Sequence, residues 1–436
     1  MTEAIINTDV CVIGGGSGGI ATAITAARLG AKVVLVERDG WLGGTATTGG
    51  VSVWQPSVSC SALCRELFQG FESAGVAHIA KARMFPGAAR PVKEYDPAAV
   101  YSYLVVRSVP WTPQFCNGYV IPFDPSGYDR VTREILAETG NCEILDGTSF
   151  TGVELARPGT ITQVLARSAD TVYQIHAETY VDCSGDVELA RAAGVETRCG
   201  EDPQSLYAEP SAPQVATDRL NGVTLMYRVG KSTPLPRPDD CEQYRGGAIH
   251  GAADICQIPG GEFSVNNCFM MAGDEAHDMG LDKAYEVLSR RIWLCWDLTR
   301  KEYGLQDYDI VWVAPRLGMR EGPRIVGKYV MTEHDIRAGM KGQAHDDIVA
   351  VTSHAMDVHG ERSYCLEAPN GPYGIPFRCL QTRQVQNLLV ACRGASFSHL
   401  AASATRLQRT IIELGEAAGK AAAGHNPVPP AEHWDY

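Results

Sequence analysis

Positive charge is scarce in this chain of 436 residues. Its 38 Lys and Arg stand against 51 Asp and Glu, a formal net charge of −13 at pH 7. That balance disfavours nucleic acid or an anionic membrane as the main partner, because cation–phosphate contacts supply most of such affinity. Low-complexity tracts, internal repeats and C-x-x-C pairs are lacking too, so neither a solenoid nor a zinc site is expected. The 14 cysteines are irregularly spaced and read as thiols in a reducing cytoplasm, not a disulfide framework. The apolar run after Thr8 has no basic flank, and no signal peptide is expected. Charge is missing from Val10 to Ala27, nearly a membrane-spanning length, but the glycines in that stretch argue for a strand, a turn and a helix.

What is present has an α/β pattern. Asp9 to Ile13 is a β-branched run, Gly14 to Gly19 a glycine cluster, Ile20 to Leu29 an Ala-rich helical stretch and Lys32 to Val36 a second strand. Together they make a βαβ unit. Further on, Tyr128 to Thr139 reads as a helix, and Glu143 to Leu145, Ser149 to Leu155 and Val172 to Cys183 read as strands. After about Gly200 the composition shifts toward Pro, Asp and Gly. There Val223 to Val229 is a strand pattern and Asp282 to Tyr303 a helix. A buried strand at Leu388 to Ala391 and a long helix from Thr405 to Ala423 restore the α/β character. The expected fold is a Rossmann-like nucleotide domain with a parallel sheet, plus a second, mostly antiparallel α+β domain. The first is expected over 1–80, 128–200 and 380–436, the second over 81–127 and 201–379.

Gly14-x-Gly16-x-x-Gly19 carries the chemistry. The first glycine allows a tight turn, the second lets backbone approach a pyrophosphate, and the third permits close helix–strand packing. The expected phosphate cradle is Gly14, Gly16, Ser17, Gly18 and Gly19 at a helix N-terminus, where free N–H groups favour anions. Glu37, at the end of the second strand, is placed to take ribose hydroxyls.

A second glycine pair follows, in Arg38-Asp39-Gly40-Trp41-Leu42-Gly43-Gly44-Thr45. This segment resembles the glutathione-reductase-like FAD superfamily, and the resemblance places Arg38, Gly43, Gly44 and Thr45 along the pyrophosphate. Thr148 to Val153 resembles the strand that lays backbone on the adenine, which puts Phe150 there. Asp182-Cys183-Ser184-Gly185-Asp186 is similar to the superfamily's D-x-[ST]-G-D, implying Ser184, Gly185 and Asp186 at the cofactor. Asn387 to Ser396 looks like the turn that carries the flavin, implying Arg393, Gly394 and Ser396; many relatives have an acidic residue where Arg393 stands. Arg316, Arg320, Arg324 and Gly327, then Asp357-Val358-His359 and Ile375 to Leu380, resemble the narrower FAD-oxidored group. The cofactor implied is FAD.

No second glycine fingerprint follows, so a pyridine-nucleotide disulfide reductase is not expected. Cys60-x-x-x-Cys64 is a weak candidate for a redox pair, and two packing cysteines are the plainer reading. Asp357 near His359 suggests an acid/base whose tautomer is fixed by a carboxylate. His399 is the rival histidine. Arg320, with Arg324, is placed either to clamp a substrate carboxylate or to form an ion-pair stripe on one helix face. The expected activity is hydride transfer from a small polar molecule, at a CH–OH or CH–CH bond, to flavin N5. A diffusible acceptor or oxygen would reoxidise the flavin. A flavin-linked tRNA-modifying protein and a non-catalytic flavin-binding protein are the alternatives. No metal is expected, an oligomer is possible, and the expected compartment is the cytoplasm.

Overall fold

The strand that opens the chain changes character half-way along. In β1 (Thr2–Ile13) exposure alternates up to Thr8, and the four residues Val10 to Ile13 are all buried. The switch falls where β1 gains a neighbour on its second side. Thr171–Asp182 flanks it along its length, and β2 (Val33–Val36) joins only at Val10 to Ile13. A strand covered on both faces reads as an unbroken apolar run. The computed structural model describes residues 2–55, 61–81, 90–91, 119–157, 159–252, 254–360, 363–366 and 368–429.

The main sheet runs Cys142–Leu145, β2, β1, Thr171–Asp182. At its far side Thr171–Asp182 has two neighbours. Its carboxyl end, Tyr180 to Asp182, pairs in parallel with Leu388–Val390, and its amino end pairs antiparallel with Thr160–Arg167. Ser149–Arg157 completes that antiparallel edge. The carboxyl ends of five parallel strands are therefore gathered at one side, where open α/β sheets bind their ligands.

Helix α1 (Ser17–Arg28) covers this sheet and is itself covered by the helix Gln408–Ala422. Their backbones nearly touch: a Cβ on Gly415 would lie 2.3 Å from the Gly18 carbonyl oxygen, and one on Gly419 2.6 Å from that of Thr22. A second core gathers between Val223 and Ala314. Its antiparallel sheet runs Asp254–Gln257, Phe263–Asn266, Tyr227–Gly230, Asp309–Val313, and the helix Leu281–Glu302 brings Leu288, Ile292 and Trp296 to the same core. The class is α/β with added antiparallel sheets.

Two local expectations are corrected. The predicted strand at Val223 forms its ladder only from Tyr227, while Val223 and Thr224 make single bridges to Met271 and Gly318. The predicted helix from Thr405 to Ala423 begins only at Gln408 and runs to Ala422, after a separate short helix, His399–Thr405. Neither Gly nor Pro marks the break. Tertiary bonds hold it: Arg406 Nη2 donates to Asp357 Oδ2 at 3.1 Å and Gln408 Nε2 to the Val51 carbonyl at 2.8 Å. No helix among the described residues is long and apolar enough to cross a membrane.

Candidate functional site

The glycine turn is built from backbone alone. Gly14 has φ 97° and its N–H donates to the Val36 carbonyl at 2.8 Å. A Cβ there would fall 2.6 Å from the Cys183 carbonyl oxygen. Gly18 and Gly19 are tighter still, with a Cβ 1.9 Å from Ala391 O and 1.8 Å from Gly14 O. Gly16 differs: a Cβ on it would meet nothing within 4 Å. It caps α1 with no side-chain bond, so the first N–H groups of that helix have no intrahelical partner. The second glycine pair docks on this turn, as Gly43 N–H donates to the Gly15 carbonyl at 2.8 Å. Gly43 has φ 111° and its Cβ would strike the Thr47 side chain.

A cleft of about 670 Å³ opens over the turn. Gly14, Gly16, Glu37, Arg38, Gly44, Thr45, Phe150, Ser184, Gly185, Asp186 and Arg393 all line it. Ser17, Gly18, Gly19, Gly43, Gly394 and Ser396 do not. Gly394 is held against Val187 and Pro323, and the buried Ser396 accepts from Gly327 N–H at 2.9 Å. Glu37 is 6% exposed, and burial raises its carboxyl above the usual range. Its Oε2 accepts from Gly15 N–H at 2.6 Å and its Oε1 from Asp39 N–H at 2.8 Å, so it also fastens the turn. Asp182 does the same below the cleft, accepting from Ser184 N–H and Oγ and from Ala190 N–H at 2.7–2.9 Å. Arg393 explains its own oddity. It pairs with Asp186 at 2.6 Å and lies across Gly185, where a Cβ would be 2.7 Å from its Nη1. Sequence reasoning overlooked one contact, the pairing of Arg316 with Asp39 across the cleft, Nε to Oδ1 at 2.8 Å.

The expected catalytic side chains lie outside the cleft lining, in two linked clusters. In the first, His359 Nε2 meets Asp357 Oδ2 at 2.8 Å and Arg406 Nη2 meets the same oxygen at 3.1 Å. Burial, reinforced by Arg320 and Arg406, lowers the His359 pKa, while Asp357 opposes the shift. Burial works to raise the Asp357 pKa, but His359 and Arg406 hold the carboxyl well below the usual range. The neutral imidazole donating from Nε2 to Asp357 keeps its lone pair on Nδ1. In the second cluster His399, 3% exposed, meets Glu321 at 2.8 Å through Nδ1. Burial opposes its charge, yet the adjacent Glu321 carboxylate raises its pKa. Arg324, 1% exposed, pairs with Glu321 at 2.6 Å and Asp202 at 3.2 Å, which makes it part of the scaffold. Asn221 joins the clusters, its N–H donating to Glu321 Oε2 at 2.8 Å and its side chain bonding Asp357 O and His359 N–H at 3.1 and 3.0 Å. The helical stripe expected for Arg320 and Arg324 is corrected: the segment is irregular up to the short strand Arg324–Ile325, and the two arginines meet different partners. Cys60 lies outside the described residues, and Cys64 is buried in the helix Ala62–Ser73.

The family described as FAD dependent oxidoreductase matches residues 9–425. The chain belongs to that family. Two curated relatives from Schizosaccharomyces pombe match a short stretch of this oxidoreductase. Glutathione reductase is 60% identical over 42 residues, 10% of this chain and 9% of its own, and mitochondrial dihydrolipoyl dehydrogenase is 60% identical over 37 residues, 8% and 7%. The chain thus spans under a tenth of the length of either. Among solved structures, a geranylgeranyl bacteriochlorophyll reductase-like protein from Thermoplasma acidophilum is similar with TM-score 0.46 and 13% identity, over 97% of this chain and 79% of its own. The p-nitrophenol 4-monooxygenase of Pseudomonas putida DLL-E4 is similar with TM-score 0.44 and 14% identity, over 76% and 70%.

The cleft of the oxidoreductase fits FAD on three counts. The open side of Gly16 leaves room for a pyrophosphate beside the uncapped α1 terminus. Glu37 presents a carboxylate on the cleft wall at the end of β2. Arg393 keeps its Nε buried without a hydrogen-bond partner.

Proposed function

We propose that this FAD-dependent oxidoreductase oxidises a small polar organic molecule at a CH–OH or CH–CH bond and passes the electrons to a diffusible acceptor or oxygen. FAD, when bound, supplies the hydride acceptor. Residues 1–80, 128–200 and 380–436 hold the cofactor in this reading, and 81–127 and 201–379 supply the substrate side. Gly14, Gly16 and the α1 terminus take the pyrophosphate, and Glu37 the ribose. His359 is the base. Its Nε2–H is held by Asp357, so Nδ1 accepts the proton of the substrate hydroxyl or carbon acid.

The observation that carries this assignment is the 2.8 Å contact between His359 and Asp357. A carboxylate so placed selects the tautomer and stabilises the imidazolium formed when the proton arrives. His399 is the weaker choice, because its Nδ1 is already engaged by Glu321 and the side chain is sealed. The test is anaerobic bleaching of the flavin against a panel of small alcohols, amino acids and hydroxy acids. His359→Ala is expected to keep its FAD and slow the bleaching about 10²- to 10⁴-fold. Undiminished bleaching in that variant would remove His359 from the mechanism.

A further inference from the structure

Around Asp357 and His359 the charges do not balance. Arg320 and Arg406 both bring guanidinium groups, while Asp357 is the one carboxylate among the described residues in ion-pair contact with either. Arg320 Nη1 donates to the Gly222 carbonyl and to Thr224 Oγ1, both at 2.8 Å and both neutral. Of the other titratable neighbours, Asp254 acts on the Cys268 thiol and makes no ion-pair contact with Arg320 or Arg406 among the described residues, and Cys268, His354 and His359 carry no charge to offset them. Burial pushes the Cys268 thiol up to about 11 and the His354 imidazole down to about 4, and lowers His359. Two guanidinium groups therefore share one carboxylate in ion-pair contact, in a place where an unpaired charge is costly.

Two further observations indicate what completes the set. Arg406 Nε is buried without a hydrogen-bond partner among the described residues. Asp357, His359 and Arg406 nevertheless keep 14%, 19% and 15% of their side-chain surface open, so they border a space and are not packed dry. The segments that carry these groups run on into the cleft lining. Met319 lines the cleft and Arg320 follows it; Gly49 lines the cleft, and Val51, two residues on, accepts from Gln408, two residues after Arg406.

Building on the role proposed for His359, we infer that the substrate carries a carboxylate group held between Arg320 and Arg406, with the bond to be oxidised beside His359. One uncompensated positive charge matches a monoanion. The planar guanidinium edge left open on Arg320 matches a carboxylate in geometry. A phosphate would bring about −1.5 to −2 charges and overshoot the balance. The sequence pairs Arg320 with Arg324 as a clamp, but Arg324 is spent on Glu321 and Asp202, and Arg406 takes that place.

The test is calorimetric titration of the FAD-loaded protein with acetate, lactate and succinate, with acetamide and lactamide as neutral isosteres, and with inorganic phosphate. At least one carboxylate is expected to bind at a single site while its amide does not. Arg320→Gln and Arg406→Gln are each expected to weaken that binding about 10- to 100-fold, the worth of a hydrogen bond to a charged group. Arg320→Lys keeps the charge without the fork and is expected to fall between, which guards against a variant that fails to fold. The inference is overturned if no carboxylate binds, if acid and amide bind alike, if phosphate is preferred, or if the arginine variants bind as the parent does. Its failure is separable from that of the proposed reaction. Carboxylate binding with an undiminished His359→Ala bleaching rate removes only the base, and lost bleaching without carboxylate selectivity removes only the clamp.

Discussion

At the scale of single residues, the histidines near Asp357 tie stability to pH. Burial drives the His354 imidazole down to about 4, helped by Arg406 and His359 and opposed by Asp357. An unfolded chain takes up a proton at that histidine below about 6.5, and the folded chain refuses it down to about 4. The contribution of His354 is therefore full above about pH 6.5, falls between 6.5 and 4, and is flat below. His354→Gln is expected to lose less stability than the parent over that window. Denaturant unfolding of both proteins at several pH values checks this, and a pH-independent difference would contradict it. His399, with its raised pKa, contributes in the opposite direction and cancels in the comparison. Asp357 and His359 are legible in sequence because a spacing of two, across the end of the strand Met356–Val358, brings them together. Nothing in the sequence marks Arg406, whose partner is 49 positions away.

Elements show which glycines serve the fold and which serve a ligand. The Cβ that Gly16→Val adds meets no described protein atom within 4 Å, so its thermal unfolding is expected to match that of the cofactor-free parent while FAD is lost on purification. Gly18→Ala drives a Cβ against the Ala391 carbonyl oxygen, at a nominal 1.9 Å, and is expected to cost about 1–3 kcal/mol or more in denaturant unfolding. If Gly16→Val is yellow and Gly18→Ala is as stable as the parent, the turn has been read wrongly. The strand–turn–helix of the glycine fingerprint was open to sequence reasoning because all its constraints are local. The Arg316 to Arg324 segment was not. A spacing of four residues suits a helix equally well, and only the distant Asp39, Thr224 and Glu321 decide otherwise. The break at Arg406 and Leu407 is likewise invisible locally, since it depends on Val51 and Asp357.

For the whole molecule, the cleft over the glycine turn is walled by segments as far apart as Gly14, Phe150, Arg316 and Arg393. A ligand that joins such segments stabilises the native state by mass action. Cofactor-free protein is expected to gain about 2.7 kcal/mol on adding FAD at about 100 times its Kd, read as a rise in Tm, and Gly16→Val is expected to gain nothing. An equal rise in both proteins would place FAD elsewhere. The α/β class was legible throughout because each strand carries its own pattern. Which strands adjoin was not, since Thr171–Asp182 has Leu388–Val390 beside one end and a hairpin strand beside the other.

That arrangement also has a consequence in time. The face of α1 that Gly415 and Gly419 cover, and the sheet position that Leu388–Val390 fills, depend on residues translated long after Val36. At about 5–20 residues per second, the ribosome leaves the main sheet and its helix layer unfinished for roughly 20–70 s. During that interval Ala21, Thr22 and Ala26, all sealed in the finished molecule on the face that Gly415 and Gly419 cover, belong to a nascent chain still awaiting its C-terminal cover. Newly made chains are therefore expected to pass through a waiting period with that helix face uncovered, the condition that chaperones relieve.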